Sequence, residues 1–102
     1  MREYETWFAG HELVPTEELV EAERLCKEPA EVARIRAACG IADDALAELL
    51  PTLADRPTER DFALELEFAM RRRGATKTSF DPIVAAGPNG ALPHARPSNR
   101  PI

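Results

Sequence analysis

Thr78-Ser79-Phe80-Asp81-Pro82-Ile83-Val84-Ala85-Ala86-Gly87-Pro88-Asn89-Gly90-Ala91-Leu92-Pro93-His94 is the stretch on which the fold turns. It reads as an extended apolar run, a Gly-Pro-Asn-Gly turn, and a second short apolar run that delivers one histidine. Proline and asparagine stand where a tight turn favours them. Strands around Ile83 and Leu92 are therefore expected to run antiparallel. Pro82, Pro88, Pro93, Pro97 and Pro101 each lack a backbone donor, which confines such strands to an edge or a bulge. Two short strands do not make a stable sheet in water, so this ribbon needs cover from elsewhere.

Two helices are expected before it. Val32, Ile35, Cys39, Ala42, Leu46 and Leu49 recur at 3-4-3-4-3 spacing, which draws one apolar stripe along a helix. Pro29 suits its first turn, where a missing N–H costs nothing, and Pro51 is expected to end or kink it at Leu50. Arg34, Arg36, Asp43, Asp44 and Glu48 fall mostly off the stripe and read as a solvated face. The second helix is announced by Thr58 with Asp61 three residues on, a variant of the capping box. Phe62, Leu66, Ala69 and Met70 supply its buried face, Arg71-Arg72-Arg73 close it against the carbonyl end of the helix dipole, and Gly74 stands where a left-handed residue is wanted. The expected fold is α+β: two consecutive amphipathic helices followed by a short antiparallel strand pair.

Residues 1–28 carry a weaker pattern. Leu13-Val14-Pro15 reads as a short extended piece, Thr16 with Glu17 and Glu18 as a helix start, and Leu19 to Cys26 as one or two helical turns. At 102 residues the chain is at most one small domain with a small core, and its hydrophobic fraction of 44% is ordinary for a globular protein. The net charge of −5 argues against nucleic acid, whose backbone calls for clustered cations. Acids outnumber bases 12 to 5 in residues 1–50, whereas bases lead 8 to 6 in residues 51–102. No apolar run approaches the roughly 20 residues that span a bilayer, and Met1 to Glu5 lack the apolar core of a signal peptide, so a cytoplasmic location without membrane partners is expected. Cys26 and Cys39 are too far apart for a C-x-x-C motif and read as reduced structural thiols.

Neither a phosphate-binding glycine loop nor a G-x-S-x-G nucleophile turn is present. His11-Glu12-Leu13-Val14 begins like a zinc-binding H-E-x-x-H helix, but Pro15 follows, supplying no ligand and opposing a helix. Asp81, placed before Pro82, reads as a turn residue rather than a metal ligand. His94 taken alone reads as a solvated loop residue.

Three blocks, in order and spacing, change that reading of His94. Lys27 to Arg36, Thr58-Glu59 with the helix it opens, and Ser79 to His94 together resemble the linker helix, second helix and first active-site strands of the Xaa-Pro aminopeptidase and dipeptidase family, M24-like metallopeptidases with a pita-bread fold. The resemblance covers roughly residues 12–100. Asp55-Arg56-Pro57 departs from it where a Pro-Gly turn is usual, as does Glu23 at a usually apolar position.

The resemblance implies that residues 1–28 are the tail end of a creatinase-like N-terminal domain and its linker, and that 29–102 are an incomplete N-terminal portion of the catalytic domain. It implies hydrolysis of the bond preceding proline, with a proline-containing peptide as substrate and two divalent metal ions (Mn, Co or Zn) held by two Asp, one His and two Glu. Those ligands lie beyond the point matching Ile102, so no metal is expected on this chain, and the chain by itself is expected to be inactive. It assigns His94 a catalytic, substrate-facing role, since an imidazole can donate a hydrogen bond to developing negative charge. Phe80 is a candidate for lining the same pocket. A creatinase-like amidohydrolase fragment, and a non-catalytic module docking through its helices and edge strands, stand as alternatives. A homo-oligomer stays open.

Overall fold

The computed structural model describes residues 2–102. Four α-helices follow in chain order: α1 (Arg2–Trp7), α2 (Leu19–Leu25), α3 (Pro29–Leu49) and α4 (Glu59–Arg72). Two 3₁₀ segments, Leu50–Asp55 and Gly87–Ala91, connect and follow them.

The start of α3 is built from local chemistry. Pro29 occupies its first turn, and Glu28 and Glu31 form a reciprocal capping box, with the Glu28 N–H donating to Glu31 Oε2 at 2.9 Å. At the far end Pro51 ends the α-helix where expected, with Leu49 its last residue and Leu50 its C-cap. It tightens the last turn into the 3₁₀ segment, which closes on Arg56 in the left-handed conformation with φ 53°.

α4 behaves as its sequence implies. Thr58 Oγ1 accepts the Asp61 N–H at 3.1 Å and its hydroxyl donates to Asp61 Oδ2 at 2.7 Å, so the Asp61 carboxylate takes the hydroxyl proton rather than the Thr58 N–H. Two more of the free N–H groups of its first turn find carbonyls far along the chain, Glu59 donating to Arg100 at 2.9 Å and Arg60 to Ser98 at 3.0 Å. At its C-terminus Gly74 adopts φ 101°, as the left-handed position requires. Arg71 pairs with Glu67 at 2.8 Å, while Arg72 and Arg73 both reach Glu48 on α3. The triple arginine thus closes α4 and ties it to α3.

The core lies where α3 and α4 meet. Ala45 and Ala69 are both 0% exposed, and Leu49 and Phe62 join them. Leu53, Leu66, Met70, Val84 and Ile102 pack around this cluster. On α3 Ala45 and Leu49 are buried and Ile41 partly so, a line rotated from the expected stripe, of which Leu49 is buried while Val32, Ile35, Cys39, Ala42 and Leu46 remain exposed. Before Ile41 every residue whose side chain is described is exposed, Val32 at 39%. The radius of gyration of 20.8 Å reflects this, against about 13 Å for a compact chain of this length.

The expected antiparallel strand pair does not form. Among the described residues there is no strand, only an isolated bridge between Thr58 and Pro101. Ala86 and Leu92 have extended backbones on either side of Gly87–Ala91, so the local preference is present without the ladder. Proline explains part of this, since Pro82, Pro88, Pro93 and Pro97 offer no donors. The turn also differs: Gly87 takes φ 55° and Pro88 starts a 3₁₀ turn, closed by Asn89 N–H to Ala86 O at 3.2 Å and Leu92 N–H to Asn89 O at 3.0 Å. The Ala86 N–H itself turns away to a carboxylate of α4.

Candidate active-site cleft

Phe80 and His94 open onto one cleft of about 600 Å³. α4 forms one wall through Arg60, Ala63, Leu64 and Glu67, and the segments around Asp81 and Ala95 form the other. Both candidate side chains are exposed, Phe80 at 72%. Asp81, read from sequence as a turn residue, lines the same space. Ala63 and Ala95 are buried at its base, so the cleft has an apolar floor with charged groups at its margins.

What positions this wall is Glu59, the first residue of α4 and 0% exposed. Its Oε1 accepts from the Ala86 N–H at 2.7 Å and from Asn89 Nδ2 at 3.0 Å. Its Oε2 accepts from the Ser98 hydroxyl at 2.7 Å, the Ser98 N–H at 3.0 Å and Asn89 Nδ2 at 3.0 Å. An ionised carboxylate is all acceptor and suits a site where every neighbour donates. The Ser98 hydroxyl, then the Ala86 N–H, hold its pKa down to about 2; burial opposes them, and the Ser98 N–H and Asn89 amide add to them. From the sequence Glu59 reads only as part of the block that opens a helix. Its donors lie 27 to 39 residues away and two are backbone groups, so no local spacing marks them. The one available signal was Asn89 and Ser98, amide and hydroxyl side chains within a proline-rich, largely apolar run.

Among the described residues no group of three or more His, Cys, Asp or Glu converges in a way that could hold a metal ion. His11 lies in the loop after α1. Cys26 and Cys39 are free and exposed rather than packed as structural thiols. No helix among the described residues is long and apolar enough to cross a membrane.

The family model of metallopeptidase family M24 matches residues 33–102, the part that contains the core and the whole cleft. This chain belongs to metallopeptidase family M24. M24 relatives agree along nearly its whole length. It is 41% identical over 99 residues to the uncharacterized peptidase YqhT of Bacillus subtilis, a match covering 97% of this chain and 28% of that protein. It is 33% identical over 91 residues to an Xaa-Pro dipeptidase of Pyrococcus horikoshii, covering 89% of this chain and 26% of the relative. The M24 chain also superposes on the crystal structure of the X-Pro aminopeptidase from Thermotoga maritima, with a TM-score of 0.84 and 31% identity over 99% of this chain and 29% of that one. It spans less than a third of the length of each of these relatives.

Proposed function

We propose that this chain contributes to an Xaa-Pro peptidase that hydrolyses the bond preceding proline. The observation that carries the reading is the shared cleft of Phe80 and His94 in a chain of family M24. His94 serves as the substrate-facing hydrogen-bond donor to the negative charge that develops on the scissile carbonyl. Phe80 presents an apolar face to the substrate, suited to a pyrrolidine ring. Residues 29–102 are read as the N-terminal portion of a pita-bread catalytic domain and 1–28 as the end of a preceding domain with its linker. Support comes from the family match beginning at residue 33 and from burial beginning at Ile41.

The divalent ions of such a peptidase, Mn, Co or Zn, would supply water activation and carbonyl polarisation, and residues outside this chain would hold them. The 102 residues by themselves are read as inactive. Two free thiols are compatible with a reducing, cytoplasmic setting. The test is His94→Ala in the protein produced from its complete reading frame, assayed on an Xaa-Pro dipeptide, on a longer Xaa-Pro peptide and on creatine. A fall of about 10²-fold in kcat on a prolyl substrate, with KM changed less, is expected. Unchanged turnover, or activity confined to creatine, would count against the reading.

A further inference from the structure

We propose that Glu59 is a positioning residue whose carboxylate ties the Gly87–Ala91 turn to Ser98 and so fixes the intervening segment that carries His94 to the cleft. It rests on the reading of His94 as substrate-facing. His94 lies between two attachment points, Asn89 and Ser98, and both end on the same carboxylate. The stretch between them has little other backbone support. From Leu92 onward its backbone is held by Leu92 N–H to Asn89 O and Ala95 N–H to Leu92 O, and Pro93 and Pro97 donate none. Glu59 itself is fixed from the other side, because its own N–H donates to Arg100 O and it opens a capped helix. The carboxylate thus gathers the turn and the segment after the histidine onto the start of α4, where the Arg60 N–H also donates to Ser98 O.

The arrangement calls for charge as well as shape. Glutamine is nearly isosteric, yet its amide would point two donors at either the Ala86 N–H or the Ser98 N–H and hydroxyl. A donor would then face donors in a site closed to water. Aspartate keeps the charge but is one methylene short of the turn.

The test compares wild type with Glu59→Gln and Glu59→Asp in the complete protein, by amide exchange and by the ring resonances of His94, identified from their absence in His94→Ala. The expected result for Glu59→Gln is exchange at Ala86 and Ser98 at least about tenfold faster, with shifted or broadened His94 resonances and unchanged far-UV helicity. Glu59→Asp is expected to restore part of the protection. If Glu59→Gln does not fold, Asn89→Ala and Ser98→Ala each remove one attachment and are expected to move the same resonances. Unaltered protection and unmoved His94 signals in these proteins would overturn the proposal. Should His94→Ala retain full turnover while Glu59→Gln still moves the His94 resonances, the catalytic reading fails and the clamp stands.

Discussion

The Ser98 hydroxyl donates to Glu59 Oε2 at 2.7 Å across 39 residues of chain. Its partner is a carboxylate that no solvent reaches, so a change at either residue is felt at the cleft wall rather than only where it is made.

Acid should act on this contact in a defined window. The Glu59 pKa of about 2 in the folded chain lies below the usual 4.5, so folding favours the ionised form. The stability it confers is fully present above about pH 4.5 and is lost as pH falls towards 2. Thermal melts of wild type are expected to fall over that window, and Glu59→Gln should lack this part of the slope. A carboxyl-carbon NMR titration of Glu59 with a midpoint near 4.5 would show the assignment to be wrong.

Thr58 supplies a separate, local test. Thr58→Ala removes the acceptor for the Asp61 N–H and is expected to cost about 1 kcal/mol in denaturant unfolding. Thr58→Ser should stay close to wild type, because the hydroxyl remains.

Two left-handed positions predict opposite effects. Gly87 has φ 55°, and a Cβ there would also lie 3.3 Å from Arg100 Nη1, so Gly87→Ala is expected to destabilise by about 1–2 kcal/mol. Arg56 has φ 53° with a full side chain, so Arg56→Gly should be neutral or stabilise by up to about 1 kcal/mol. Chemical denaturation of the two variants reads both signs.

At the helix contact, Ala45 and Ala69 are both fully buried. Ala69→Val is expected to cost about 1–3 kcal/mol through overpacking, and an unchanged midpoint would mean the α3–α4 contact is looser than described.

On the proposed function, in which residues outside this chain hold the metal ions, the 102-residue chain by itself is expected not to hydrolyse Ala-Pro or Gly-Pro with added manganese or cobalt. Metal-dependent turnover by the pure chain would contradict this.

The sequence was most legible where causes are local. Thr58, the acids of the first turn, the closing arginines and Gly74 all act within a few residues, and α4 follows them closely. α3 is legible but its buried side is turned: the 3-4 spacing marks an apolar face, whereas burial depends on which face α4 meets, and that face carries Ala45 and Leu49. The strand pair failed for a related reason. Extended backbone at Ala86 and Leu92 is a local property, but pairing needs donors; Pro82 and Pro93 have none, the Ala86 N–H is taken by Glu59 and the Leu92 N–H by Asn89 O. Residues 2–7 form a helix that reading from sequence did not pick out, with Tyr4 and Trp7 in edge-to-face contact at 5.6 Å. At the cleft, Phe80 and His94 were read from a family resemblance, while Glu59 was missed because its partners are distant and half of them backbone.

The dependence of α4 on Ser98 and Arg100 also sets an order of events during synthesis. A ribosome finishes α4 well before it adds residue 98, and in that interval the N–H groups of Glu59 and Arg60 have only water to serve them and the Glu59 carboxylate is solvated. The cleft wall can close only when the stretch from Ala86 to Arg100 has emerged and its donors displace that water together. Such long-range closure is slow compared with helix formation, so α4 serves as the template on which the histidine-bearing segment is laid down.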